Sequence, residues 1–121
     1  MNIEFLREFC LSKPGVTEGF PFDEDALVFK VMGKMFLLMS LGSKPLTMNV
    51  KCDPGLAVEL RERYPEAVTG AFHMNKKHWN SVNCESGLID DELKEMIDHS
   101  YALVVKGLPK KDREKLGAAK A

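Results

Sequence analysis

Hydrophobic and polar positions along the chain change period several times, and these changes mark the predicted helices and strands. The first apolar residues recur at the spacing of an amphipathic helix. Asn2 precedes this run and can cap it, and Pro14-Gly15 is expected to end it near Lys13. The segment from Thr17 to Asp25 has turn chemistry and includes Phe20-Pro21-Phe22, which suits a short edge strand or a pinned loop.

Alternation with period two begins at Leu27 and predicts three consecutive strands. The first strand runs to Val31, and Met32-Gly33 makes a compact turn into a second strand from Lys34 to Leu41. In the third strand, Leu46–Lys51, apolar residues alternate with polar ones, so one face should be buried. Together the three runs predict an antiparallel meander.

Further helices and two short strands are predicted in the rest of the chain. Asp53-Pro54 combines a capping carboxylate with a proline at the first helical position, which indicates a helix start. Val68–Phe72 and His78–Cys84 are strand candidates, although the pattern leaves open the face that Trp79 occupies. Asp90 opens a long amphipathic helix with acidic residues that suit the helix dipole.

A short basic helix is expected over Lys110–Leu116, and the chain from Gly117 onward should fray. The order of elements predicts an α+β fold, in which helices pack on one face of an antiparallel sheet. A length of 121 residues fits one domain, residues 1–121, with a core of its own.

Composition agrees with a soluble globular protein, since 45% of residues are hydrophobic and 29% are charged. The longest apolar run, Met35–Met39, is too short for a transmembrane helix, and no signal peptide is expected. Three cysteines without a CxxC pair favour a reduced, cytoplasmic protein.

Charge is distributed unevenly although the formal net charge is only −1. Residues 26–80 hold eight basic and four acidic residues, whereas residues 1–25 hold two basic and six acidic residues. Blocks of opposite sign allow a local positive surface on a nearly neutral protein.

The most unusual stretch is Ala71–Asn80, which combines cationic, amide and aromatic side chains, including the single tryptophan. Its candidate anion-binding residues are His73, Asn75, Lys76, Lys77, His78 and Asn80. Phosphate contacts use such donors, and Trp79 could stack on a base or cover a sugar. Lys51 before the Asp53-Pro54 helix start, together with Lys30 and Lys34 around a turn, would extend this surface.

Two other interpretations of this stretch remain open. It could be a solvated hairpin in which Trp79 packs against the sheet. Alternatively, the exposed sheet face could bind a protein, with Phe20, Phe22 and Trp79 as aromatic anchors.

Neither a metal site nor a catalytic site is predicted. The histidines and cysteines that could bind a metal fall in no recognised zinc spacing: His73, His78, His99, Cys52 and Cys84. Asp98-His99-Ser100 contains the residue types of a catalytic triad, but neighbours on a helix point about 100° apart. No phosphate loop, dinucleotide-binding motif or nucleophile elbow is present, so neither an enzyme nor a cofactor is expected.

Several ordered motifs make the chain similar to the MmcQ/YjbR family of small bacterial proteins. They are Pro14-Gly15-Val16-Thr17-Glu18-Gly19-Phe20-Pro21-Phe22, Gly33-Lys34-Met35-Phe36, Asn49-Val50-Lys51-Cys52-Asp53-Pro54, His73-Met74-Asn75-Lys76-Lys77-His78-Trp79 and Ser100-Tyr101-Ala102-Leu103-Val104. The similarity runs from about residue 5 to residue 110, and the histidine-to-tryptophan block is its most specific part.

The resemblance implies a CyaY-like or frataxin-like two-layer sandwich and the role of a DNA-binding protein that uses paired hairpin wings. Carried over residue by residue, the matching positions are Lys34, Asn49, Lys51, His73, Asn75, Lys76, His78 and Trp79. It brings no catalytic residue. The iron binding of frataxin is not implied, because Glu4 and Glu8 are only a sparse acidic pair on the first helix.

These observations predict a non-enzymatic, cytoplasmic, monomeric protein that binds DNA through Lys34, Lys51 and the segment His73–Trp79. A pI near 6.3 runs against this prediction, because DNA-binding domains are usually basic. The alternatives are a small phosphorylated metabolite bound by the same loop, or a protein partner on the sheet face.

Overall fold

Six strands form a single antiparallel sheet in the computed structural model of the chain, which describes residues 2–71 and 74–120 (backbone alone for 118–120). In chain order the elements are α1 (Ile3–Leu11), β1 (Val16–Gly19), β2 (Ala26–Val31), β3 (Lys34–Ser40), β4 (Thr47–Lys51), α2 (Pro54–Arg63), β5 (Val68–Gly70), β6 (Trp79–Asn83), α3 (Asp90–Lys106) and α4 (Lys110–Lys120). The strand order across the sheet is β1-β2-β3-β4-β6-β5. The predicted α+β class and the meander β2-β3-β4 are therefore confirmed.

One core lies between the helices and one face of the sheet. The helices contribute Leu6 and Cys10 from α1, Leu93, Met96, Ile97, Tyr101 and Val104 from α3, and Leu116 from α4. The sheet contributes Phe29, Val31, Phe36, Leu37, Met39, Met48, Val50, Val68 and Val82. Packing on a single face leaves the other face of the sheet without a covering helix among the described residues.

The helix starts follow the capping residues read from the sequence. The Oδ1 of Asn2 accepts a hydrogen bond from the Phe5 amide at 2.8 Å. The Asp53 carboxylate accepts hydrogen bonds from the Gly55 and Leu56 amides at 3.1 and 3.2 Å. Each cap satisfies backbone donors that have no partner inside the helix, so a local signal was enough to predict these two boundaries.

Several strand ends differ from the prediction by one or two residues, and three further differences stand out. The first helix ends at Leu11, before Lys13. The edge strand β1 lies at Val16–Gly19 and pairs with β2, whereas Phe20-Pro21-Phe22, where an edge strand or a pinned loop was expected, belongs to the loop that follows. The last helix continues to Lys120 although fraying was expected from Gly117, because the buried Leu116 anchors the helix to the core.

A bulge near the start of β3 is bridged by a hydroxyl group from α3. The pairing between β2 and β3 jumps from Phe29↔Leu37 to Lys30↔Met35, which leaves Phe36 as the extra residue. The fully buried Ser100 donates a hydrogen bond to the Phe36 carbonyl at 2.5 Å and accepts one from the Lys51 amide at 2.8 Å. This hydroxyl therefore joins β3, β4 and α3 next to Lys51.

Replacing Ser100 by alanine should lower the free energy of unfolding by about 2 kcal/mol, because a buried carbonyl and a partly buried amide both lose their partner. Urea denaturation measures the change. Ser12→Ala is the matched control, since the Ser12 hydroxyl is exposed and its loss should cost no more than about 0.5 kcal/mol. Equal midpoints for the two variants would contradict the bridging role of Ser100.

Candidate functional site

Residues predicted from distant parts of the sequence meet at one end of the sheet. Lys51, the last residue of β4, lies opposite Trp79, the first residue of β6. Lys34 opens β3, and the pairing of Leu37 with Val50 places it at the same end. The turn that leads into β6 lies there too. We call this region the basic end; it comprises Lys34, Lys51, Asn75, Lys76, Lys77, His78 and Trp79.

Strand alternation sends part of the basic end to the uncovered sheet face. In β4, Met48 and Val50 point into the core, so Asn49 and Lys51 point to the opposite face. In β6, Val82 is buried and Trp79 points the other way, with its side chain only partly buried. Trp79 and Val82 thus face opposite sides of the sheet, which answers the question that the sequence left open.

Among the residues that the structure describes, no carboxylate neutralises the ammonium groups of the basic end. Within residues 2–71 and 74–120, none of the side chains of Lys34, Lys51, Lys76 and Lys77 forms an ion pair. The pairs that do form lie elsewhere and are Arg7–Glu18, Lys13–Asp98 and Arg63–Glu59. The four positive charges are therefore available to an anion.

Residues of the turn before β6 hold its conformation. The Asn75 side-chain oxygen accepts a hydrogen bond from the Lys77 amide at 2.9 Å. The Asn75 carbonyl accepts hydrogen bonds from the amides of His78 and Trp79 at 3.1 and 2.9 Å. Asn75, predicted to bind an anion, thus uses its side-chain acceptor to form the turn. His73, another predicted site residue, lies outside the described residues.

Arg61, on α2, fastens this turn to the body of the protein, and sequence reasoning missed it. Its Nε donates to the Oδ1 of Asn80 at 2.7 Å, and its Nη2 donates to the carbonyls of Lys76 and Trp79. Asn80 is 1% exposed, so it is not available to an external anion, contrary to the prediction. The physical reason is strand parity, because Asn80 lies on the helix side of β6.

The residue types of a catalytic triad on α3 contact three separate parts of the fold. Asp98 pairs with Lys13 after α1. The Nε2 of His99 accepts a hydrogen bond at 3.1 Å from the amide of Asp53, the residue before α2. Ser100 bridges β3 and β4, as described above. None of the three donates to or accepts from another, so they do not form a relay.

Burial suppresses the reactivity of the cysteine thiols. It raises the pKa of Cys10 to about 12 and the pKa values of Cys52 and Cys84 to about 11. The thiolate is the nucleophilic form, so these side chains are poor nucleophiles at neutral pH.

In the part of the chain that the structure describes, no group of three or more His, Cys, Asp or Glu residues could hold a metal ion. No helix found there is long and apolar enough to cross a membrane.

Together, the fold and the basic end define a two-layer α+β domain with a cationic edge and an uncovered sheet face. The family model described as YjbR matches residues 11–103, and the chain belongs to the YjbR family. It is 37% identical to the Escherichia coli O157:H7 protein YbdF over 114 residues, which cover 93% of this chain and 92% of YbdF. It is 30% identical to YjbR of Escherichia coli K12 over 116 residues, covering 96% and 98% of the two chains.

Solved structures agree with this assignment. The Deinococcus radiodurans protein DR2400, with a DUF419 domain, is 37% identical and superposes with a TM-score of 0.89, covering 96% of this chain and 88% of that one. A Pseudomonas syringae protein, at 24% identity and a TM-score of 0.74, shares the fold over 85% of this chain and 98% of its own. The resemblance to this family is therefore confirmed. YbdF and YjbR are both uncharacterised proteins, so neither supplies a function.

Raising pH should expose the effect of thiol burial on stability. Because the pKa values of the thiols are raised in the folded state, their contribution to the free energy of unfolding is complete below about pH 8.5 and is lost as pH increases toward 11 to 12.

At about pH 8, iodoacetamide should label the cysteines of the folded protein far more slowly than those of the urea-unfolded chain. Mass spectrometry measures the labelling rates. Equal rates for the folded and the unfolded protein would contradict the buried placement of the cysteines.

Substituting Arg61 by methionine should loosen the turn before β6. The carbonyls of Lys76 and Trp79 and the buried Asn80 lose their charged donor, so the free energy of unfolding should fall by about 2 kcal/mol. Arg63→Met is the control, since Arg63 forms only an exposed pair with Glu59. Amide hydrogen exchange of residues 74–79 should accelerate in the first variant alone; unchanged exchange would refute the anchoring role.

Proposed function

We propose that this protein is a non-enzymatic, cytoplasmic DNA-binding domain that acts as a monomer and contacts phosphates through its basic end. The observation that carries the proposal is the juxtaposition of four lysines without ion-pair partners, in the described chain, and a partly exposed Trp79. Lysine ammonium groups position nucleic acid through its phosphates, and an indole ring can stack on a base.

Charge segregation along the strands supports the proposal. The loops at the opposite end of the sheet carry Asp23, Glu24, Asp25 and Glu85 against one lysine, Lys44. A strand thus connects a positive end with a negative end, although the formal net charge is −1. Such a field draws an approaching polyanion to the basic end first.

The number of cations sets the expected strength of binding. Three or four lysine–phosphate contacts give a slope of roughly −3 to −4 for log affinity against log salt concentration. This is a small electrostatic contribution compared with that of strongly basic DNA-binding proteins. The proposed complex is therefore of modest affinity and sensitive to ionic strength.

The individual residues have different proposed roles. Lys51, Lys76 and Lys77 contact phosphates, and Lys34 extends the positive surface across β3. Trp79 stacks, and Asn49 presents its amide on the open face beside Trp79 and Lys51. Asn75 and Arg61 hold the turn in place. Because α2 fixes the backbone of the turn, the lysines are positioned before a ligand arrives, which lowers the cost of binding.

A protein partner is the second candidate, because Phe20 and Phe22 in the loop after β1 are 53% and 69% exposed. Exposed aromatic side chains act as anchors in many interfaces. Their loop borders the acidic end of the sheet, so the lysines of the basic end would contribute little to such a contact.

The double variant Lys76→Ala/Lys77→Ala should weaken binding of oligonucleotides about tenfold at low salt and reduce the salt slope by about 2. Fluorescence anisotropy at several salt concentrations measures both quantities. The matched control is Lys110→Ala/Lys111→Ala, which removes an adjacent, exposed lysine pair from α4 and changes the net charge equally.

Equal losses in the two double variants would show a general charge effect and reject the basic end as the site. Wild-type affinity in the Lys76/Lys77 variant would reject it as well. If a free nucleotide competes as well as an oligonucleotide of equal concentration, the ligand is a small phosphorylated metabolite instead. The protein partner would be favoured if neither the oligonucleotide nor the nucleotide binds and if a protein that binds the wild type is lost in a Phe22→Ser variant.

A further inference from the structure

We infer that the bound DNA is an unpaired strand, which lies across the open face of the sheet from the Trp79–Lys51 pair toward Asn83. This inference rests on the proposed function and adds the form of the nucleic acid and the path that it follows. The open face is defined here by the outward residues of the six strands: Thr17, Gly19, Ala26, Val28, Lys30, Met35, Leu38, Ser40, Thr47, Asn49, Lys51, Thr69, Trp79, Ser81 and Asn83.

The composition of the open face suits a polyanion. It includes two lysines, Lys30 and Lys51, and no acidic residue, although the whole chain has more acidic than basic residues. Glu18, the one acidic residue within a strand, points to the helix side and pairs with Arg7. The face can therefore be crossed by a phosphate backbone without meeting a carboxylate from the strands.

Two asparagines of the open face have their acceptors occupied and their donors available. The Oδ1 of Asn49 accepts a hydrogen bond from the Ser81 hydroxyl, and the Oδ1 of Asn83 accepts one from the Glu85 amide at 2.9 Å. Neither amide nitrogen has a hydrogen-bond partner among the residues in the structure. Both side chains thus present N–H groups, which match the acceptors on base edges and phosphates.

These groups are spaced along the strand direction. The cross-strand pairs Lys51–Trp79, Asn49–Ser81 and Thr47–Asn83 follow one another on the same face. Consecutive pairs are about 6.8 Å apart, so the track from the first to the third is about 14 Å long. An indole ring and an ammonium group begin the track, and amide donors continue it. Bases that are not paired can stack on the ring and expose their edges to these donors.

Double-stranded DNA fits this surface less well. A duplex hides its base faces and is read in its grooves by a helix or a two-stranded ribbon. The described helices lie behind the sheet, and no helix covers the open face. The hairpin of β2 and β3 is paired to β1 as far as Val31, so it is not a free-standing ribbon that could enter a groove. A single strand is the form that needs no protruding element.

The experiment compares an oligothymidine of about 12 nucleotides with a DNA hairpin of the same number of nucleotides, by anisotropy at one salt concentration. The single strand should bind at least about tenfold more tightly. Trp79→Ala should weaken single-strand binding by about 5- to 150-fold and leave hairpin binding nearly unchanged, since one stacked base is lost. Trp79→Phe, which keeps an aromatic ring, should restore most of the affinity.

A second variant tests the same inference in case the Trp79→Ala protein does not fold. Asn49→Asp keeps the acceptor for Ser81, so the fold should survive, which thermal denaturation can verify. The change replaces an N–H donor by a negative charge on the open face and should weaken single-strand binding at least about tenfold. Ser12→Asp on the helix side serves as the control of equal charge, and its affinity should stay within about twofold of wild type.

The outcomes separate this inference from the proposed function. Equal or tighter binding of the hairpin overturns the unpaired strand, and so does wild-type affinity in both the Trp79→Ala and Asn49→Asp variants. In those cases a loss in the Lys76/Lys77 variant would still support DNA binding at the basic end. If neither oligonucleotide binds, the proposed function itself fails and this inference falls with it.

Discussion

The structure depends on the register in which β4 pairs with β6. This pairing places Val50 and Val82 in the core and, on the opposite face, Lys51 and Trp79 beside each other. A shift of β6 by one residue against β4 would turn its side chains over, burying the indole and exposing Val82. The free energy that selects the core therefore also selects the outward surface. Burial of apolar side chains on one side fixes the positions of the polar groups on the other.

Hydrogen bonds from two helix side chains complete this arrangement where the regular pairing ends. Ser100 supplies a hydroxyl where the bulge at Phe36 separates the ends of β3 and β4. Arg61 supplies several N–H groups to carbonyl oxygens of the turn before β6. Ser100 and Arg61 both lie on helices that pack on the core side of the sheet. Their side chains bind backbone groups of segments that also carry the outward-facing Lys51 and Trp79. The guanidinium group suits this role because its planar array of donors can satisfy several acceptors at once.

Features of the fold that depend on contacts between residues close in sequence were predicted, and features that depend on contacts between distant residues were not. The caps Asn2 and Asp53 act within three residues, and their helices were predicted correctly. The Arg61–Asn80 contact spans 19 positions and the Lys51–Ser100 contact spans 49, so no local pattern signals either of them. An edge strand or a pinned loop was expected at Phe20-Pro21-Phe22, but the edge strand β1 lies just before it, where four residues are too few to show an alternation. The candidate segment itself was selected from composition alone, since the polar turn before β6 is compositionally distinct.

Asn49 and Asn80 show this difference between local and long-range information most clearly. Asn49 entered the candidate site only through family resemblance, and Asn80 entered it through its place in the polar stretch. The structure shows that strand parity decides between them, because Asn49 faces outward and Asn80 is buried beneath Arg61. Parity in a strand of five residues can be assigned only when the partner strand is known. Composition alone therefore cannot tell an outward-facing amide from a buried one.

The charge of the protein constrains how it could hold DNA at physiological ionic strength. A few lysines provide an electrostatic contribution that falls with salt, whereas stacking on Trp79 and hydrogen bonds to Asn49 are short-ranged and far less screened. As salt increases, the share of the binding free energy from the open face must therefore grow relative to that from the basic end. A nearly neutral chain with an uncovered, acid-free sheet face is suited to that balance. The lysines would then guide the strand to the protein, and the face would retain it.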